Sequence, residues 1–245
     1  DDFTSTVSIE ACSVLVKTGR TVVFNSAHHL LVQNEVTVEP GGTLIFENNS
    51  QLVQIANSVN SGDINYKRIA TIKKLDYVYW SSPVNGFNIN NLNTLVPTGP
   101  KYKWQPTITN ANGGIGGWTS AAGNLMAIAK GYIVRGPESF STSSTAPFLS
   151  TFVGVPNNGD LSITIERGPM TTATLSGYTS ANGIPFTEFD DNWNLIGNPY
   201  PSAISANHFL YENRQANGGS LAGFVNIWRH GIDLQLGATN PYYGS

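Results

Sequence analysis

The chain has 245 residues, 40% of them hydrophobic and 11% aromatic, enough to bury a core in one or two domains. Only 12% are charged and the net charge is −3, so no basic stripe exists to neutralise phosphates, and a nucleic-acid partner is not expected. No apolar run approaches the ~20 residues of a membrane-crossing helix, so no transmembrane segment is expected.

The place of the missing charges is taken by 26 Asn and 25 Gly. These residues favour turns, through local side-chain hydrogen bonds and tolerance of positive φ. Many turns with few charges point to a secreted all-β protein. A single cysteine, Cys12, rules out an internal disulfide. That favours a bacterial exported protein or a cytosolic one over an extracellular eukaryotic domain. Cys12 sits in the apolar run 11–16, which predicts a buried structural thiol.

From the N-terminus, apolar clusters recur at 14–16, 22–24, 30–32, 36–38, 44–46 and 52–55. A step of about eight residues suits short strands in a β-solenoid, with one or two coils of a parallel β-helix. Residues 56–66 read as a polar connection. Residues 64–72 alternate well enough for a strand, and the basic group Lys67, Arg68, Lys73 and Lys74 reads as a solvated strand edge. Residues 101–105 and 117–119 read as a hairpin around a glycine-rich tip, and 131–137 as a strand ending in a turn. Residues 151–155 and 161–166 read as a strand pair joined through Pro156-Asn-Asn-Gly159. One helix is expected, over 201–210, with Ser202 or Ser205 as its cap. A last strand is expected over 223–229.

Two segments echo each other at an offset of 116 positions. Asp76-Tyr-Val-Tyr-Trp-Ser-Ser-Pro-Val84 and Asn192-Trp-Asn-Leu-Ile-Gly-Asn-Pro-Tyr200 each run an aromatic strand into two small residues, a proline and a bulky residue. The repeat suggests a two-part β architecture. The first copy has a candidate partner strand at Gly131; the second has none before Ser245. On that asymmetry the chain is expected to be truncated at its C-terminal end. Asn198-Pro-Tyr-Pro201 is expected to be structural, because two prolines fix φ around Tyr200.

These blocks carry a resemblance. The two echo segments, Gly131-Tyr-Ile-Val-Arg-Gly136, Phe152-Val-Gly-Val-Pro-Asn-Asn-Gly159, Ile227-Trp-Arg-His230 and the upstream Gly41–Gln54 stretch occur in an order that resembles the β-rich region near the C-terminus of large Bacteroidetes surface proteins. The likeness spans about residues 9–230. It implies export through the type IX secretion system, a place outside the cell or on its surface, and an adhesin-like role. It implies as partners other segments of the same large protein, or outer-membrane and surface proteins. It brings no catalytic residues.

The chemistry-bearing residues fit that picture. No Gly-x-Ser-x-Gly, Walker-type loop or His-Glu-x-x-His occurs. Gly113-Gly-Ile-Gly-Gly117 lacks a following helix and Lys-Ser/Thr, so it reads as a hairpin tip. His28 and His29 point to opposite faces of a strand and cannot share a metal; with His208 and His230 they form no ligand pattern. Glu188, Asp190 and Asp191 are the candidate calcium ligands, against a competing reading as a solvated turn. Trp104 and Trp118 flank the glycine-rich stretch and are the candidate platform for a glycan ring, whereas Trp80, Trp193 and Trp228 read as core.

The expected fold is therefore all-β, with a short β-solenoid-like segment over 1–62. A β-sandwich-like module with one short helix follows over 63–245. The expected function is a non-catalytic surface-display or adhesin-like module of an exported bacterial protein. The alternatives are a carbohydrate-binding module and an accessory domain of a secreted hydrolase. No cofactor is expected beyond the candidate calcium.

Overall fold

The computed structural model describes residues 1–96, 98–109, 115–168, 193–221 and 225. The described residues form fourteen β-strands and one α-helix, an all-β fold. The chain divides into two compact units. One comprises Asp1–Trp104, Trp118–Thr164 and Leu195–Ala203; the other comprises Gln105–Gly117, Ile165–Asn194 and Ile204–Ser245.

The first unit opens with eight short strands: β1 (Phe3–Ser5), β2 (Ile9–Ala11), β3 (Val14–Val16), β4 (Thr21–Phe24), β5 (His29–Val32), β6 (Val36–Val38), β7 (Thr43–Phe46) and β8 (Gln51–Gln54). The last six, β3–β8, coincide with the evenly spaced apolar clusters, whereas β1 and β2 precede the first of them. Each is three or four residues long because turn residues bound every cluster. Equivalent strands recur 22 residues apart, Val22 with Leu44, Leu30 with Leu52 and Val14 with Val36, and pair parallel and in register. The ladders run β1-β4-β7, β2-β5-β8 and β3-β6.

In-register parallel pairing stacks like residues into columns. Phe24 lies on Phe46 with ring centroids 5.3 Å apart and planes 12° apart, and Phe46 meets Tyr66 at 6.3 Å. Leu44, Phe46 and Ile64 are fully buried in these columns. The corners repeat as well. The His28 N–H donates to Asn25 O and the Ser50 N–H to Glu47 O, so both corners close by the same bond. Each carries a left-handed residue, Ala27 at φ 68° and Asn49 at φ 66°. Asn tolerates that conformation; Ala does not favour it.

Strand β9 (Ile64–Ile72) pairs parallel with β7 on one edge and antiparallel with β14 (Ala146–Gly154) on the other. Residues on either side of position 62 thus share one five-stranded sheet, β1-β4-β7-β9-β14. A second sheet has the order β10 (Tyr77–Trp80), β13 (Tyr132–Arg135), β11 (Lys101–Thr109), β12 (Ile115–Ser120). Trp80 of β10 packs on Phe148 and Phe152 of β14 at 6.1 and 5.9 Å, and Phe87 packs on Phe152 at 5.0 Å.

Three expectations for this unit are corrected. Residues 151–155 do not pair with 161–166: β14 begins at Ala146 and pairs along its whole length with β9. The Pro156–Gly159 stretch therefore closes no hairpin. Cys12 is exposed, because it turns the corner between β2 and β3. The basic group is not a solvated edge, because all four residues are half-buried. Lys67 pairs with Glu47 at 2.7 Å and Lys74 with Glu138 at 2.8 Å. Arg68 shares the inward face of β9 with buried Ile64, Tyr66 and Ile72.

In the second unit the helix α1 runs Ala206–Asn213, later than 201–210, and its cap is Ser205, whose Oγ accepts the His208 N–H at 3.2 Å. Asn194 and Glu166 form a reciprocal pair: Asn194 Nδ2 donates to Glu166 O at 2.7 Å, and its Oδ1 accepts the Glu166 N–H at 3.0 Å. The strand expected over 223–229 lies outside the described residues apart from position 225, as do Trp228 and His230.

Candidate functional site

The two echo segments come together inside the first unit. Ser81 and Gly197, equivalent at the 116-residue offset, lie against each other, and a Cβ at Gly197 would overlap the Ser81 side chain. Asn157, 8% exposed, bridges the copies. Its backbone N–H donates to Pro83 O at 3.0 Å, and its Nδ2 donates to Pro199 O at 2.9 Å and Ser82 O at 3.3 Å. Pro83 and Pro199 are again equivalent, so one side chain and its own backbone hold matching carbonyls.

Only the first copy forms a strand; the second, expected as a strand over 193–196, makes an isolated antiparallel bridge, Lys130 with Ile196, and Trp193, expected in the core, is 47% exposed. β13 pairs antiparallel with β10, Trp80 opposite Tyr132. The residues just before β13 pair with the second copy: Gly131 N–H donates to Leu195 O at 3.1 Å and Gly197 N–H to Ala129 O at 3.0 Å. One stretch, 129–135, therefore serves both copies, which the search for a separate second follower misses. Gly131 has no side chain because Leu195 packs there; a Cβ would come within 2.5 Å of Leu195 Cγ.

The Asn198–Pro201 turn is tied down from both ends. Asn198 Oδ1 accepts the Tyr200 N–H at 3.0 Å and its Nδ2 donates to Ser202 O at 2.5 Å. The Tyr200 hydroxyl donates to Gly159 O at 2.7 Å. Burial raises the Tyr200 pKa, an accepted backbone hydrogen bond from Leu161 lowers it, and the charge on Asp160 raises it.

Between the copies lies a cleft of about 290 Å3, walled by Tyr66, Tyr79, Trp80 and Phe152 on one side and Leu195 and Ile196 on the other, with Arg68 and Ser81 also on its lining. Arg68 stacks over the Tyr66 ring, its Cζ 3.7 Å from the centroid. It donates to Ser50 O at 2.5 Å, to Lys67 O at 2.6 Å and to the Tyr66 hydroxyl. Burial lowers the Arg68 pKa and raises that of Tyr66, and their mutual contact opposes both shifts. A second cleft of about 290 Å3 is lined by Asn57, Asn157, Asn158, Asp160 and Tyr200 among others.

Trp104 and Trp118 are brought together, with centroids 5.3 Å apart at 72°, and Trp118 also meets Tyr79 edge-on at 6.4 Å. Both indoles are half-buried. The candidate calcium ligands Glu188, Asp190 and Asp191 lie outside the described residues. His29 Nδ1 lies 2.9 Å from Ser8 Oγ. No group of three or more His, Cys, Asp or Glu that could hold a metal occurs among the described residues. No helix among them is long and apolar enough to cross a membrane.

Sequence reading missed Arg68 and Asn157. Arg68 occupies an even position in the alternation Ile64, Tyr66, Arg68, Ala70, Ile72, which is the available signal. Asn157 has none, because Pro-Asn-Asn-Gly reads as a solvated turn.

The fold and this arrangement define an all-β protein in which two echoing aromatic-and-proline segments meet. The chain belongs to the family described as a domain of unknown function (DUF8693), whose model matches residues 2–245. No curated protein and no solved structure matches it.

Proposed function

We propose that the chain is a non-catalytic surface-display module of a larger exported bacterial protein, adhesin-like and of the type IX-secreted kind. In this reading β1–β8 are coils of a short β-solenoid, and the later strands form a β-sandwich-like module. The observation that carries the reading is the five-stranded sheet, in which stacked parallel strands pass through β9 directly into antiparallel pairing with β14. Coils that share their sheet with the next module cannot hinge against it there, which suits a rigid spacer. The ordered sequence blocks described above add the address.

The test has two arms. Antibodies raised against residues 1–245 are applied to intact cells of the source bacterium, and the purified chain is offered polysaccharide, peptide and ester substrates. The reading expects surface labelling and no turnover. Labelling only after lysis, or turnover abolished by one point substitution, overturns it. Carbohydrate binding is the second reading, favoured by the adjacency of Trp104 and Trp118 on one sheet.

A further inference from the structure

The inward face of β9 and β14 is apolar except at one cross-strand pair. Arg68 lies opposite Ser150, and the two are flanked by Tyr66 with Phe152 and Ala70 with Phe148. Ser150 is fully buried, and its hydroxyl has no hydrogen-bond partner among the described residues. The same holds for two buried atoms of the cleft lining, Trp80 Nε1 and Ser81 Oγ. Trp80 packs on Phe148 and Phe152, the residues on either side of Ser150 along the inward face. One charged residue, Arg68, and two with unpaired neutral donors, Trp80 and Ser81, therefore line one cleft, and Ser150 sits beside Arg68 on the same sheet face.

The chemistry of these groups is one-sided. Arg68 and the Trp80 indole only donate, and a serine hydroxyl is free to donate. The bonds Arg68 makes go to carbonyls and a phenol, which leave its charge uncompensated. The nearest carboxylate on that stretch, Glu47, is held by Lys67. No Asp or Glu lines the cleft. Arg68 contributes an uncompensated charge, and the Trp80 indole and Ser81 hydroxyl are buried donors without acceptors, whose cost in free energy an acceptor recovers. Aromatic side walls and a volume of about 290 Å3 suit one ring rather than a chain.

We propose that this cleft binds an acidic sugar residue, with its carboxylate on Arg68 and its ring between the aromatic walls. A neutral sugar would leave the guanidinium uncompensated, and a purely apolar ligand would leave the donors unpaired. The inference concerns the first unit alone and does not depend on the export reading.

The test is a titration of the 15N-labelled chain with sodium galacturonate, galactose and sodium acetate at matched ionic strength. It follows the Trp80 indole N–H signal, assigned with Trp80→Phe. The expected result is a saturable shift with galacturonate, a weaker response to acetate and none to galactose. Arg68→Lys loses the planar fork and should weaken galacturonate binding by about tenfold or more. Ser81→Ala, which removes one hydroxyl at the cleft edge, should weaken it less and keeps the test open if the arginine variant does not fold. A Trp80 signal unmoved by galacturonate overturns the proposal. So do an equal response to galactose, tighter binding of a peptide with a free C-terminal carboxylate, or affinity unchanged in the folded variants. Intact-cell labelling is unaffected by any of these outcomes, so a failed cleft and a failed display reading are told apart.

Discussion

Replacing Asn157 by Leu tests whether the two echo copies are held together by that side chain. The substitution keeps the number and branching of side-chain heavy atoms and removes Nδ2, which donates to Pro199 O at 2.9 Å and to Ser82 O at 3.3 Å. The site is 8% exposed, so little water reaches the carbonyls left behind. Each orphaned buried acceptor costs about 1–3 kcal/mol. The longer bond to Ser82 counts for less, so the expected loss is roughly 2–4 kcal/mol by the same rule. Urea unfolding at constant m-value measures it. Asn157→Asp adds a pH test. Its carboxylate would face carbonyl oxygens in a buried site, which raises its folded pKa above the unfolded value of about 3.9. A raised folded pKa means that the native state binds more protons, so stability falls as pH rises through that window. The Asp variant should therefore be less stable at neutral pH than at mildly acidic pH, relative to the parent. A loss under ~0.5 kcal/mol for Asn157→Leu, the usual size of a neutral surface change, would refute the reasoning.

Phe46→Ala, which opens the stacked aromatic column at its buried centre, should cost about 3–5 kcal/mol in the same assay. Ala27→Gly relieves a left-handed alanine at a corner and should raise stability by up to about 1 kcal/mol; a loss would mean that the corner is not as described. Gly197→Ala drives a methyl into Ser81 and should lower the melting temperature more than Gly19→Ala, where a Cβ meets nothing within 4 Å, although Gly19 alone carries a positive φ of 71°. Ser205→Ala removes the α1 cap and should cost about 1 kcal/mol, read as reduced protection of the His208 amide in hydrogen exchange.

What was legible in the sequence was local. Short apolar clusters such as Leu44–Phe46 carry their own turns on both sides, so six strands, β3–β8, could be placed before their pairing was known. The alternation of 64–72 gave β9 for the same reason. Pairing over long separations was not legible. The first half of β14, Ala146-Pro-Phe-Leu-Ser150, is interrupted by a proline and a serine, and only the β9 edge explains it. Cys12 looked like core because its neighbours are apolar, yet two residues between β2 and β3 must turn a corner and face water. At the candidate site, the echo of Trp80–Val84 in Ile196–Tyr200 was visible as a repeat. The copies touch at Ser81 and Gly197 and are bridged by Asn157, which a reading by local turn chemistry assigns to solvent. The tryptophan pair was nominated for flanking glycines, and its closeness follows from the packing of β11 and β12 in one sheet.

The central claim is that this chain is displayed outside the cell as a non-catalytic module. Labelling intact cells that produce the protein with antibodies against residues 1–245, beside a cytoplasmic control protein, tests it most directly. The account predicts a signal on intact cells that brief surface proteolysis removes while the control is untouched. A signal that appears only when the cells are broken open would contradict it.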